Sequence, residues 1–212
     1  MKKFLLVAII GIFAFGGCNQ QKPVKTIDNL KFSIINQTIE SEMYMDFSEK
    51  AKTNYPDIAL LFETISKAEG IKASNNKIIL ESLGEDVEVI IPEYEVRTTL
   101  ENLQTAIQRE TEDVNNLYPT FLSDAKNEKV SKAQDSFQWA ITTESKHLEF
   151  FSKAIEFVFG TIEKVETRVC DLPSGYAICP TCGNLFYNTA IEEKCGLCQT
   201  EKEKFIIVKP SI

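Results

Sequence analysis

Four cysteines near the end of the chain have the spacing of a metal site. They form two Cys-x-x-Cys pairs, Cys179/Cys182 and Cys195/Cys198, separated by a spacer of twelve residues. Because a two-residue gap allows a tight turn to point both sulfurs inward, the two pairs can surround one cation. Four thiolates in a tetrahedron favour zinc or iron over magnesium, calcium or manganese. Two disulfides are the alternative in an exported protein, but this spacing is more typical of a metal site.

A second group of candidate ligands lies in the middle of the chain. Glu144 and His147 are three residues apart, and His147 is the only histidine. Side chains at positions i and i+3 of a helix share a face, so this pair can bind the same cation. By itself this pattern is more often a solvated face. Glu110, with Asp113 three residues later, and Glu69 add carboxylates from two other predicted helices, and this convergence favours a buried metal site.

Four long helical patterns would position these side chains. They cover, in order, about 27–54, 56–83, 96–126 and 130–159. Thr26 is predicted to cap the first helix, and Pro56 is a favourable first-turn residue for the second. A long connection over 84–95 separates the second helix from the third. Four helices with one long connection in the middle are typical of a ferritin-like bundle.

The helical pattern ends at Gly160, a residue that often follows a helix. Short strand patterns follow it, around Ala177, Phe186 and Phe205. We therefore predict a mostly α-helical protein, with a ferritin-like four-helix bundle over residues 26–160 and a small β-rich four-cysteine domain over 161–212.

The beginning of the chain predicts export. Two lysines precede an apolar run over 4–15, which is typical of a secretory signal and too short to span a bilayer as a stable helix. The sequence that follows, Phe-Gly-Gly-Cys18, resembles the lipobox of bacterial lipoproteins. We predict a signal peptide over 1–17, lipidation of Cys18 and a polar tether over 18–25. Cleavage at another small residue, which would release a soluble protein, is the alternative.

The charge of the chain limits its partners. There are 31 acidic and 23 basic residues, a formal net charge of −8, and loss of Lys2 and Lys3 with the signal peptide would make it −10. Such a surface repels nucleic acid and anionic lipid, so we expect neither as a partner. The lipid anchor is the expected contact with a bacterial membrane, on its periplasmic or cell-surface side. Cys170 is left over, either as a reactive thiol or, more often, as a small apolar filler.

These motifs, taken in order, resemble the rubrerythrin family over nearly the whole chain after the signal peptide. The matching segments are Asn29-Leu30 and Tyr44, residues 58–63 leading to Glu69, residues 101–110 leading to Tyr118-Pro119, Glu144-x-x-His147, and the rubredoxin-like Cys179-Pro-x-Cys182-Gly with Cys195-x-x-Cys198. The resemblance implies iron in both domains and reduction of hydrogen peroxide at a di-iron centre. It also implies electron delivery from the four-cysteine iron centre and, often, a head-to-tail homodimer.

The resemblance assigns the bundle ligands position by position. Ligand positions are occupied by Glu69, Glu110, Glu144 and His147, and Asp113 stands where the family has a longer carboxylate. Two positions depart from the family. Gln37 replaces a glutamate of the first helix, where Glu40 could substitute if the helix were rotated, and Lys72 replaces the histidine of the second helix. The resemblance also places Tyr44 and Tyr118 near the metals, where either could bond a carboxylate or serve in packing.

The replacement at Lys72 suggests a physical hypothesis. Carboxylates that lie close together in a dry interior cannot all stay ionised without a cation. Lys72 could therefore replace one metal ion as an internal counter-ion. Two metal ions, one ion held by Glu69, Glu110, Glu144 and His147, or a metal-free, salt-bridged core remain as alternatives.

Two functions follow from these patterns. The first is a lipid-anchored rubrerythrin-like oxidoreductase that reduces peroxide with electrons from an unknown donor. The second is a non-catalytic metal-binding lipoprotein with a degenerate di-iron site, which Gln37 and Lys72 favour. Iron at the four cysteines would transfer electrons, whereas zinc would only stabilise the fold. Gly196 and Gln199 also depart from the usual Pro and Gly of rubredoxin sites, and such positions affect the contacts that tune a redox potential.

Overall fold

A computed structural model describes residues 22–160 and 174–210 of the chain. The predicted signal peptide, Cys18 and Cys170 lie outside the described residues. The helices are α1 Val24–Ala51, α2 Pro56–Ser82, α3 Thr99–Glu112, α4 Tyr118–Asn127 and α5 Ser131–Phe159. A π-helix, Asp113–Leu117, joins α3 to α4, so that the two form one rod of a four-helix bundle. The fold class predicted from the sequence is confirmed. Each helix in the described part of the chain falls short of the length or the apolar character that a membrane span requires.

The first helix begins earlier than its sequence predicts. It begins at Val24 after Pro23, and no side chain at the N-cap position bonds to it. Thr26 therefore lies in the first turn, and its predicted role as a cap was wrong. The carboxylate of Glu128 instead accepts bonds from the backbone N–H groups of Lys25 (3.1 Å) and Thr26 (2.7 Å). An acceptor supplied by a distant loop satisfies the free N–H groups of a helix start as well as a local cap does.

The third rod begins with a local cap. The Thr98 side chain accepts a bond from the backbone N–H of Glu101, and the Glu101 carboxylate bonds back to the Thr98 backbone N–H. This reciprocal pair fixes the start of α3 at Thr99, three residues after the predicted start. The long connection that precedes α3 contains no strand in the described structure.

Two apolar clusters fill the bundle, one on each side of a polar layer. One cluster contains the aromatic side chains of Tyr44, Phe47, Phe62 and Phe151, and the other contains Tyr118, Phe121 and Phe137. On every rod the two clusters are separated by buried polar residues, at 37–40, 69–76, 110–113 and 143–147. The apolar clusters above and below thus hold polar side chains from four rods at one depth, out of contact with solvent.

The cysteine region forms a small antiparallel sheet. Its strands are β1 Tyr176–Ile178, β2 Leu185–Tyr187 and β3 Ile206–Val208, with β1 in the centre. Phe186 and Phe205 stack at 5.0 Å beside the cysteines. Tyr176, Ile178, Leu185 and Val208 belong to the same apolar cluster as the first bundle aromatics. The sheet therefore packs directly on the bundle, and the two domains share one core.

Candidate metal centres

The polar layer of the bundle contains a group of four potential ligands. We call Glu69, Glu110, Glu144 and His147 the bundle quartet. All four are fully buried, and one ligand atom from each lies within 4.8 Å of the others. His147 Nδ1 lies 3.0 Å from Glu144 Oε2, 3.2 Å from Glu69 Oε1 and 3.5 Å from Glu110 Oε1. Three rods thus bring together four of the five bundle residues that the sequence offered as ligands, and Asp113 is not among them.

The quartet leaves buried polar atoms without hydrogen-bond partners. These are the Oε2 atoms of Glu69, Glu110 and Glu144 and both ring nitrogens of His147. A buried polar atom without a partner is costly, and a carboxylate oxygen is more costly still. A cation bound by these atoms would remove that cost. Three carboxylate oxygens and one imidazole nitrogen suit iron, manganese or zinc, so the quartet fits a metal ion.

Lys72 lies inside the same layer. Its Nζ is 2.6 Å from Glu69 Oε1 and 2.5 Å from Glu144 Oε1, and its side chain is 5% exposed. Burial by itself would lower the pKa of Lys72, but the charges of Glu144 and Glu69 raise it above its ordinary value. The ammonium group is therefore charged at neutral pH, and its position is the one that the counter-ion hypothesis requires.

The cations and carboxylates of this layer shift one another's protonation. Burial would raise the pKa of Glu144, but Lys72 and His147 lower it overall. Burial and the charge of Glu144 raise the pKa of Glu110 well above its ordinary value. Burial and Lys72 oppose protonation of His147, yet Glu110 raises its pKa. Without a metal ion, burial and the neighbouring charges therefore favour the protonated forms of Glu110 and His147, and a bound cation would compete with those protons.

Gln37 belongs to a neutral network beside the quartet. Its Oε1 accepts a bond from Asn76 Nδ2 at 3.0 Å, while its Nε2 has no partner. Asn76 Nδ2 also donates to Ser33 Oγ at 3.0 Å, and Ser136 Oγ donates to Asn76 Oδ1 at 2.6 Å. Tyr118 reaches this network through Ser33, at 3.3 Å, and does not bond a carboxylate. Amides and hydroxyls occupy this position, where a second metal ion would need anionic ligands.

Glu40 and Asp113 lie outside the quartet. Glu40 Oε1 accepts a bond from Arg109 Nε at 3.0 Å. Arg109 Nη2 also donates to Asn36 Oδ1 at 2.8 Å, and Asn36 Nδ2 donates to Asp113 Oδ2 at 3.1 Å. Glu40 is thus paired with an arginine and does not substitute for Gln37.

Burial, followed by the charges of Glu144 and Glu69, raises the pKa of Asp113 to about 8. Arg109 and Asn36 belong to no ligand motif, so no signal in the sequence pointed to them.

Tyr44 contacts the quartet directly. Its hydroxyl donates to Glu110 Oε1 at 3.1 Å. The ring is fully buried among Phe47, Phe62 and Phe151. Of the two tyrosines considered from the sequence, Tyr44 is the one that orients a carboxylate.

The four cysteines of the C-terminal domain also come together. We call Cys179, Cys182, Cys195 and Cys198 the four-cysteine centre. All four are free of disulfides, and their sulfurs lie within 4.8 Å of one another. The bond with Cys182 lowers the pKa of Cys179 to about 4, and the same interaction raises the pKa of Cys182. This interaction thus favours the thiolate of Cys179 and the thiol of Cys182, and a bound cation would be needed to hold four thiolates.

Both Cys-x-x-Cys turns end in a residue with left-handed backbone geometry. Gly183 has φ 74° and Gln199 has φ 62°. Their N–H groups bond to the carbonyls of Cys179 (3.0 Å) and Cys195 (2.8 Å), which closes each turn. Glycine adopts this geometry without strain, whereas glutamine does so at a cost. Gln199 therefore closes the same kind of turn as Gly183, although rubredoxin sites usually have glycine at this position.

The four-cysteine centre lies against the helix that carries Lys72. A Cβ atom at Gly183 would lie 3.0 Å from Lys72 Cγ and 3.2 Å from the Ala68 carbonyl oxygen. Asn75 Nδ2 donates to the Thr181 carbonyl at 2.7 Å. On α5, Lys146 Nζ donates to the Leu185 carbonyl at 2.5 Å. The backbone next to Cys182 is therefore in contact with a side chain that bonds two members of the quartet.

Comparisons with known proteins agree with this architecture. The rubrerythrin family model matches residues 28–155. Rubrerythrin-2 of Clostridium acetobutylicum is 28% identical over 186 residues, which cover 87% of this chain and 97% of that protein. Nigerythrin of Nitratidesulfovibrio vulgaris is 27% identical over 191 residues, which cover 85% of each chain. A structure of nigerythrin in a mixed-valent state superposes with a TM-score of 0.73 at 26% identity, over 86% of each chain. Since the family model spans more than half of the sequence, the chain belongs to the rubrerythrin family.

Proposed function

We propose that the protein is a non-haem iron oxidoreductase that reduces hydrogen peroxide in oxidative-stress defence, with electrons entering through the four-cysteine centre. The observation that carries this proposal is the contact between the two centres. Gly183, next to Cys182, packs on Lys72, whose ammonium group bonds Glu69 and Glu144. A solved nigerythrin described as fully reduced and all ferrous has a TM-score of 0.72 with this chain, which supports iron.

Peroxide reduction requires that electrons and protons reach the buried layer. Conversion of hydrogen peroxide to two waters consumes two electrons and two protons. Iron in the quartet would supply Lewis acidity and one-electron chemistry, and iron at the four thiolates would supply electron transfer. The hydroxyl of Tyr44 orients Glu110, and Lys72 holds one oxygen each of Glu69 and Glu144. The buried quartet is shielded from bulk water, which limits side reactions of a reactive oxidant.

Peroxide consumption by iron-loaded protein, driven by an artificial reductant, tests this proposal. Glu144→Gln should abolish turnover, because it removes a charged ligand from the quartet. Cys198→Ser should slow turnover but leave the iron content of the bundle unchanged. Lys67→Met, which alters an exposed lysine paired with Glu63 on the same helix as Lys72, is the control. Turnover no faster than that of free ferrous iron would contradict the proposal.

A non-catalytic, metal-binding function is the second candidate. The neutral network around Gln37 and the ammonium of Lys72 favour it, because neither supplies a metal ligand. In this case iron-loaded protein should show no turnover, and the double variant Gln37→Glu/Lys72→His should acquire it. Visible absorption would identify the metal of the four-cysteine centre, since ferric thiolates are coloured and zinc thiolates are not. A four-cysteine centre that holds only zinc in protein isolated from its natural host would favour this second function.

We propose that the protein acts as a lipid-anchored homodimer on the exported side of a bacterial membrane. The lipobox-like sequence before Cys18 and the family resemblance support this proposal. Cys18→Ala should move the protein from the membrane fraction to the soluble fraction. Size-exclusion chromatography of the variant should then give the mass of two chains.

A further inference from the structure

We propose, resting on the metal binding but not on the peroxide chemistry of the proposed function, that the bundle holds one divalent metal ion and that the Lys72 ammonium permanently replaces a second cation. The protein would thus have a mononuclear centre in a bundle whose family resemblance implies two ions. The number of ions depends on which atoms of the layer are free to bind a metal.

The six carboxylate oxygens of the quartet divide into two sets of three. The three Oε1 atoms are engaged: those of Glu69 and Glu144 bond Lys72, and that of Glu110 bonds Tyr44. The three Oε2 atoms have no hydrogen-bond partner, and the same is true of both ring nitrogens of His147. One oxygen of each carboxylate and one ring nitrogen of His147 lie within 4.8 Å of one another, and three oxygens with one nitrogen are a donor set for one ion. A second ion would have to take the oxygens that Lys72 already occupies.

The charges of the layer also indicate one metal ion. The three carboxylates of the quartet carry three negative charges when ionised, and Lys72 contributes one positive charge. One divalent ion brings this group to neutrality, whereas two divalent ions would leave a buried excess of two positive charges. An uncompensated charge in a dry interior is strongly destabilising, so the second ion is disfavoured.

The neighbouring residues offer no other place for a second ion. Beyond Lys72 the layer continues with Gln37, Asn76 and Ser33, whose side chains are neutral and bond to one another. The two further carboxylates are engaged elsewhere, Glu40 with Arg109 and Asp113 with Asn36. Outside the quartet, one buried carboxylate oxygen of the described residues, Glu40 Oε2, has no hydrogen-bond partner, and a single free oxygen beside the Arg109 cation does not make a second site.

The packing of Lys72 keeps the ammonium in this position. Its aliphatic chain lies against Gly183, where even a methyl group would approach Lys72 Cγ to 3.0 Å. The side chain is only 5% exposed, and both of its bonds are to carboxylates of the quartet. Lys72 is thus a built-in cation and does not vacate its site for a metal.

Manganese binding tests the inference, because Mn²⁺ prefers oxygen and nitrogen ligands to thiolates. The purified protein is stripped of metal, given one equivalent of zinc to fill the four-cysteine centre, and dialysed against Mn²⁺ without oxygen. We expect one Mn²⁺ per chain, with the six-line electron paramagnetic resonance spectrum of an isolated ion. Two Mn²⁺ per chain with a spin-coupled spectrum, or no Mn²⁺ at all, would overturn the inference.

Variants separate the role of Lys72 from that of its neighbours. Gln37→Glu/Lys72→His should bind two Mn²⁺ per chain and give the spin-coupled spectrum, because both missing ligands are then present. Lys72→Met should lower the melting temperature of the metal-free protein by roughly 6 °C or more, since it leaves buried carboxylates uncompensated. The matched Lys67→Met change should leave it unaltered. An unaltered melting temperature in Lys72→Met would overturn the counter-ion role.

The inference and the proposed function can fail separately. If one Mn²⁺ binds but iron-loaded protein does not consume peroxide, the mononuclear site stands and the peroxidase function fails. If two ions bind and peroxide is consumed, the function stands and the inference fails. The stoichiometry of the unaltered protein decides the matter even if the double variant does not fold.

Discussion

Tyr44 connects the aromatic core of the bundle to the quartet. Its ring packs against three phenylalanines, and its hydroxyl holds one oxygen of Glu110. A group that orients a ligand commonly affects metal affinity by 10- to 100-fold, and we therefore expect Tyr44→Phe to weaken Mn²⁺ binding by roughly 10-fold or more. Equilibrium dialysis measures the change.

Tyr118→Phe is the matched control for this prediction. Tyr118 is equally buried, but its hydroxyl lies 3.3 Å from Ser33 Oγ and contacts no carboxylate. We expect its removal to leave the affinity for Mn²⁺ within a small factor. An equal loss in both variants would mean that the loss comes from the packing of the rings and not from the bond to Glu110.

Gln199 is a strained position in the second cysteine turn. Its φ of 62° is one that glycine adopts freely, as Gly183 does in the first turn. We expect Gln199→Gly to stabilise the zinc-loaded protein by about 0.5–1 kcal/mol, because relief of the strain exceeds the added freedom of the unfolded chain. Denaturant titration measures the difference. Gln199→Ala keeps the Cβ atom and should give no gain; a similar gain in both variants would refute the backbone explanation.

The ligand residues could be predicted from the sequence because residues that bind metals occur there at short, characteristic spacings. Glu144 and His147 share a helix face, and the cysteine pairs can only form tight turns. The partners of the ligands could not be predicted in this way. Asn76 and Arg109 belong to no motif, and their contacts depend on which faces of different helices meet. Lys72 was identifiable only because a histidine was expected at its position.

At the scale of the helices, the periodic apolar patterns predicted all four rods of the bundle. The ends of the helices depend on contacts with distant residues, which such patterns do not reveal. The start of α1 is fixed by a carboxylate about a hundred residues away in sequence. The π-helix between α3 and α4 was also not predicted, since an extra residue in one turn leaves the apolar pattern on either side intact. It begins at Asp113, and Asp113 bonds to Asn36 outside the quartet.

The cap of α1 provides a test of this long-range contact. Glu128→Ala removes the acceptor for the N–H groups of Lys25 and Thr26, and we expect a loss of about 1 kcal/mol in the free energy of unfolding at pH 7. Hydrogen exchange should accelerate in the first turn of α1. Glu49→Ala, which alters an exposed carboxylate paired with Lys52 one turn away, is the control and should change little.

The same cap should depend on pH with a known sign. Burial would raise the pKa of Glu128, but the bonds from Thr26 and Lys25 lower it overall. A carboxylate with a lowered pKa stabilises the folded state above its unfolded pKa, about 4.3, and loses this contribution as the pH falls through its folded pKa. The difference between the original protein and Glu128→Ala should therefore shrink below about pH 4. A difference that grows on acidification would exclude the carboxylate as the cap.

At the scale of the whole molecule, the two domains depend on each other through the region around Gly183. The sheet contributes to the apolar core of the bundle, and the turn after Cys182 covers the stem of Lys72. Its three strands contain only three residues each, so the domain has little core of its own apart from the cluster around the cysteines. A metal at the four-cysteine centre should accordingly supply much of the free energy that keeps this domain folded and docked.

Trp139, the only tryptophan of the chain, reports on this docking. It lies on α5, half-buried against the cluster that contains Cys179, Cys182 and Cys195. When a strong chelator removes the metal of the four-cysteine centre, we expect Trp139 emission to shift to the red and become more accessible to acrylamide. The helical circular dichroism should persist, because helix residues make up most of one apolar cluster and all of the other. Removal of Mn²⁺ from the quartet, with zinc still on the cysteines, is the control and should leave the emission unchanged. If chelation of the metal at the cysteines also left it unchanged, the domain would stay docked without its metal, and the shared core alone would account for the contact between the two centres.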